Sequence, residues 1–138
     1  MIPLATAATF VWLGMVLAIS FIEAPLKFRA PEVTLRIGLG IGRLVFRGLN
    51  IAEVVLAVLL SVALLLSNIA VGAAVVPVIA ILILVVQLVG IRPRLSARSD
   101  AVLAGADVPR SRAHYVYIAA EVLKVAALLA AGMVLLGH

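Results

Sequence analysis

The chain has 138 residues, enough for one domain, and 66% of them are hydrophobic. That fraction and a mean hydropathy of +1.33 lie far above the roughly 45–50% apolar content of soluble domains. With only 12% charged residues, a solvated globule and a disordered polymer are both excluded. The lack of cysteine removes thiol nucleophiles, disulfide relays, iron–sulfur clusters and cysteine-based zinc sites, and the net charge of +5 must be placed against a bilayer before it implies any partner.

A helix that crosses a bilayer needs roughly 20 mainly apolar residues, and four segments qualify. The first covers about residues 3–24. It carries no charge before Glu23 and is expected to stop near Pro25, because proline disfavours helical geometry in the residue before it. No basic residue precedes its long apolar stretch, so it reads as a span and not as a signal peptide. Gly38-x-Gly40-x-Gly42 lacks dinucleotide-fingerprint spacing and reads as a helix contact or a flexible helix start.

The second span, about 43–66, joins the apolar run from Ile51 to Leu66 to the amphipathic stretch IGRLVFRGLN before it. Ser67 and Asn68 make a turn. The third, about 71–91, carries Pro77 in its first turns and ends at Arg92-Pro93-Arg94. A loop over 92–112 follows, the one sizeable polar element, with room for a short helix from Asp100 to Leu103. The fourth span, about 113–136, opens after Ser111, a helix cap following Pro109. The expected fold is all-α, a single-domain integral membrane four-helix bundle.

Lys27, Arg29, Arg36, Arg43 and Arg47 lie before or at the start of span two, and Arg92, Arg94, Arg98, Arg110 and Arg112 lie between spans three and four. Ten of the 11 basic residues therefore fall on one side, which the positive-inside bias makes cytoplasmic, with both termini outside a plasma or inner membrane. Attraction to lipid phosphates accounts for the high pI. The bilayer is the expected partner, and nucleic acid is not.

Charges within a span cost about 2.5–3.5 kcal/mol each on insertion scales, so they call for partners or a water-filled cavity. His114, Tyr117, Glu121 and Lys124, spaced by 3, 4 and 3, share one stripe of span four. Arg43, Arg47 and Asn50 repeat the spacing on span two, with Glu53 at the stripe's edge. Span one adds Ser20 and Glu23, and span three adds Gln87. Their depths predict one polar chamber in the cytoplasmic half, with Glu23, Glu53 and Glu121 balancing Arg43, Arg47 and Lys124. Such a chamber either binds a small molecule or fixes helix register. Trp12, Tyr115 and Tyr117 also fit as interface or packing aromatics, and one histidine among scattered carboxylates makes a poor metal site. No catalytic residue, metal or cofactor is expected.

Trp12-Leu13-Gly14 in span one, Ala24-Pro25 with Phe28 in FIEAPLKFRAP, the basic-aromatic junction from Arg43 to Arg47 and the His114-Tyr115 pair opening span four form a pattern over the whole chain. On these residues it resembles the uncharacterised four-span membrane proteins grouped with transmembrane protein 205 and its bacterial relatives, the family called domain of unknown function 4149. Glu23 and Lys27, which flank and interrupt the small-Pro-Phe motif, depart from the general pattern and suggest a separate branch. The resemblance implies a four-helix integral membrane protein with both termini outside. It brings no established activity, and links of some members to drug tolerance or export point towards transport.

Three functions follow as expectations. One is a small binding or transport protein, dimeric or of higher order, that takes a small polar or amphipathic molecule, with Glu53 and Glu121 as proton-sensitive or cation-binding groups. Another is an accessory or scaffolding subunit of a larger membrane complex with a structural ion-pair network. The third is a lipid-headgroup enzyme using His114 or Glu121 as base and Arg43 and Arg47 on phosphate.

Overall fold

A computed structural model describes residues 1–106, 109 and 112–138. Among the described residues, four helices are long and apolar enough to cross a membrane: α1 Ile2–Lys27, α2 Leu35–Leu66, α3 Val71–Leu103 and α4 Arg112–Leu136. Helix α1 packs on α2 and α4, α4 also packs along α3, and α2 closes the ring against α3, chiefly at the Arg92–Leu103 end. The section through the bundle is thus a ring in the order α2, α1, α4, α3. The apolar core draws on all four helices, through Trp12 and Val16, Leu60 and Ala63, Ala80 and Leu84, and Leu128 and Leu135.

Large apolar side chains also cover the outside. Leu44, Leu65, Val71 and Val89 are each more than two-thirds exposed. A surface so continuously apolar suits lipid, not water. Since lipid gives no hydrophobic drive for helices to associate, close contact between small residues has to do more of the work. Gly132 on α4 is one such contact. The Phe10 ring of α1 lies so close that a Cβ at 132 would sit 2.5 Å from its Cζ. Gly38 plays the same part for the Phe28 ring, and at Gly42 a Cβ would come 3.0 Å from Lys27 Nζ. The glycine run is therefore a helix contact, made by its first and third members.

Three boundaries differ from those the sequence suggests. Helix α1 does not stop near residue 24 but runs through Pro25 to Lys27, because Leu17–Glu23 is wound as a π-helix just ahead of the proline. Helix α3 likewise passes Pro93, after a π-helical segment at Gln87–Ile91, and continues over Arg92–Leu103. The wider π turn accommodates a ring that would clash with a carbonyl in α geometry and has no N–H to donate. Most of the expected loop over 92–112 is therefore helix, and the short helix anticipated at Asp100 to Leu103 is the end of α3. Helix α2 begins at Leu35, well before residue 43, because Thr34 caps it: its hydroxyl accepts from the Ile37 N–H at 3.2 Å. Asp107, Arg110 and the expected cap Ser111 lie outside the described residues.

Candidate functional site: a buried ion cluster

Some polar groups inside the spans are satisfied within their own helix. The hydroxyls of Thr6, Thr9 and Ser61 donate to carbonyls one turn back, at 2.9, 2.7 and 2.7 Å. Others meet across the bundle. Lys124 on α4 is wholly buried, and its Nζ lies 2.5 Å from Glu53 Oε2 on α2, 2.6 Å from Glu121 Oε1 one turn away on α4, and 2.8 Å from Gln87 Oε1 on α3. These three contacts match the three donors of an ammonium group.

The carboxylates take further donors. The Trp12 indole N–H of α1 donates to Glu53 Oε2 at 2.7 Å. Gln87 Nε2 donates to Glu121 Oε1 at 3.0 Å, and the Ser20 hydroxyl donates to Glu121 Oε2 at 2.5 Å. Every span thus supplies at least one member, and Glu53, Gln87, Glu121 and Lys124 are between 0% and 2% exposed. One atom stands out: Glu53 Oε1 is buried without a hydrogen-bond partner among the described residues. Ser20 and Gln87 both lie on the π-helical segments. Such turns are rare and occur often at functional sites, and here they carry the side chains of α1 and α3 that reach the ions on α4.

A second layer lies one turn towards the basic end of the bundle. The Arg92 guanidinium sits between two rings, 4.8 Å from the Phe46 centroid and 4.9 Å from the Tyr117 centroid. Its Nη2 lies 3.4 Å from the Tyr117 hydroxyl. Stacking on aromatic faces suits a guanidinium, which is planar and weakly hydrated. Tyr117 is buried and separates Glu121 from the basic end.

The other expected site residues are not in the cluster. Arg43 pairs with Asp100 at 2.6 Å near the surface, and Arg47 is exposed. Glu23 pairs with Lys27 at 3.6 Å along its own helix. Asn50 and His114 are half-buried, with the His114 ring edge-on to Tyr115. The expected balance of three acids against three bases is therefore replaced in the core by two acids, Glu53 and Glu121, against the single base Lys124. Arg43 and Arg47 drop out because Arg43 turns to Asp100 on α3 and Arg47 lies on an exposed face of α2.

An open polar chamber is not what these residues form. With so little accessible area at Glu53, Gln87, Glu121 and Lys124, these side chains fill their own space and leave scarcely any room for water beside them. Two hollows among the described residues are apolar grooves. One lies between α2 and α3 and is lined by Val54, Ala57, Ser61, Ile81, Leu84 and Leu88. Another lies between α3 and α4, beside Leu82, Val86 and Leu123.

Trp12 was the cluster member hardest to find from sequence. Its signal is its depth: an indole in the middle of an uncharged span, far from either interface, has an N–H that needs a buried acceptor. No family model, curated protein or solved structure matches the chain.

Proposed function

We propose that this chain is a small membrane protein of the binding or transport class, with the buried ion cluster as its working centre. The observation that carries this reading is the meeting of Glu53, Glu121 and Lys124 at near-zero exposure. Ionisable groups inside membrane helices commonly mark an ion, proton or substrate path. Because the cluster is tightly filled, the species it accepts is small, and anything of amphipathic size requires the bundle to open. The basic ends of the helices face the cytoplasm and both termini lie outside in a cell membrane, on the strength of the charge bias. Membership of the four-span family that the motifs resemble fits this reading, as does a dimeric assembly.

Uptake into liposomes containing the purified chain tests the proposal. Glu121→Gln, which preserves shape, is expected to abolish uptake while the protein stays folded. Unchanged uptake overturns it.

A second reading, as an accessory subunit, draws support from a different observation: all three Lys124 donors are met by the chain's own side chains, as in a clasp that fixes helix register. It predicts a stoichiometric protein partner on purification from the native host in mild detergent. The lipid-headgroup enzyme finds less support, since Arg43 is held by Asp100 and neither Arg43 nor Arg47 joins Glu121.

A further inference from the structure

The cluster holds two carboxylates and one ammonium, so with every group ionised it carries one uncompensated negative charge. The remaining members, Trp12, Ser20 and Gln87, are neutral. A lone charge in a medium of low dielectric costs far more than an unmet neutral polar group. The excess therefore calls for one positive charge from outside, and the geometry limits its size. Lys124 already occupies the place between the carboxylates, and the near-zero exposure of all four central residues leaves no water-sized hollow for a metal cation and its ligands. Glu53 Oε1, on a residue that is wholly buried, has no partner. It marks where the uncompensated charge has least support.

We propose that the cluster is a binding site for a single proton, shared between Glu53 and Glu121 through Lys124. This rests on the reading of the cluster as a binding centre and names the species bound. The step forms one O–H bond, at Glu53 Oε1 or at Glu121 Oε2, and breaks one O–H bond of a hydronium ion, which leaves as water. At Glu121 the contact with Ser20 can reverse: a protonated Oε2 donates to the Ser20 hydroxyl, which turns its own hydrogen to a backbone carbonyl one turn back.

The charged and titratable groups around the site on each helix are these. On α1, Glu23 lies three residues beyond Ser20 and pairs with Lys27; its Oε2 is buried without a hydrogen-bond partner among the described residues. On α2 there is Glu53 itself, with Arg43 paired to Asp100 beyond it. On α3, Arg92 lies one layer out between its two rings, and on α4 are Tyr117, Glu121 and Lys124. Arg92 is held between the Phe46 and Tyr117 rings with its Nη2 on the Tyr117 hydroxyl and pairs with neither carboxylate, so it does not replace the missing positive charge. Glu23 is partly exposed and lies on the same helix as Ser20.

Infrared spectroscopy of the full chain in lipid nanodiscs reads the proton directly, because a protonated carboxyl in a dry site has a C=O band separate from that of a carboxylate. At neutral pH the wild-type protein is expected to show this band for one glutamate, identified by its isotope shift after carbon-13 glutamate labelling. Glu53→Gln and Glu121→Gln are each expected to abolish it, since the remaining carboxylate then balances Lys124. Thermal melts establish that the variants are folded. No band in the wild type, or a band that survives in either folded variant, overturns the proposal. If a variant fails to fold, the wild-type spectrum alone decides. Absence of the band together with uptake that depends on Glu121 refutes the proton while leaving the binding centre; a shared band with no uptake does the reverse.

Discussion

Replacing Lys124 with methionine keeps most of the side chain's volume and removes its charge. Three contacts disappear, to Glu53, Gln87 and Glu121, of which the first two tie α2 and α3 to α4. Interhelical hydrogen bonds in membranes average about 0.6 kcal/mol each, so these two alone account for roughly 1 kcal/mol. The larger effect is on what remains. Two carboxyl groups at 0% and 2% exposure lose their counter-charge, and breaking a buried ion pair by removing one partner costs about 3–5 kcal/mol. Unfolding in detergent followed by circular dichroism should show a loss of that size, equivalent to a fall in melting temperature on the order of 10 °C. Adding Glu53→Gln and Glu121→Gln to Lys124→Met removes the stranded groups and should recover much of the loss, since replacing a whole buried ionic set is often neutral. A loss under about 1 kcal/mol for Lys124→Met alone is typical of a solvated pair, and it would refute the claim that Lys124 neutralises charge in a dry interior.

Other substitutions probe the surroundings. Trp12→Phe keeps the ring packing and deletes the indole donor to Glu53, and should destabilise the protein by about 1.5–3 kcal/mol as a lost hydrogen bond to a charged group, read by circular dichroism because Trp12 is the sole tryptophan. Gly132→Ala drives a methyl into the Phe10 ring and should cost about 1–3 kcal/mol as overpacking; Phe10→Leu in the same chain should relieve part of it, as a double-mutant cycle would show. Arg43→Ala breaks the ion pair to Asp100, but both side chains are about half exposed, so the change in unfolding free energy should stay below about 1 kcal/mol and shrink further in high salt.

The four spans were legible because apolar length decides them, and the stripe of Tyr117, Glu121 and Lys124 was legible because helical spacing does. Where helices end was less so. Pro25 and Pro93 look like terminators in sequence, yet each follows a π-helical segment that accommodates it, and no local signal announces that winding. Which acid meets which base was also hidden. Arg43 and Arg47 share the spacing of a buried stripe, but the flexible length of an arginine lets one reach Asp100 and the other lie exposed. Glu53 could be found, since an acid amid Ile51, Val54 and Val55 must have a partner somewhere. Its partners lie 41 and 71 residues away along the chain, a pairing set by the packing of α1 between α2 and α4 and by nothing local.

The central claim is that one lysine and two glutamates from two different helices meet inside the bundle. Solid-state NMR of the chain in lipid bilayers, with nitrogen-15 on lysine side chains and carbon-13 on glutamate carboxyls, measures this directly. Lys124 Nζ should show strong dipolar coupling to the carboxyl carbons of both Glu53 and Glu121, and its coupling to Glu53 should vanish in Glu53→Gln samples labelled in the same way. Coupling to Glu121 alone would reduce the cluster to a pair within one helix, and would contradict the account.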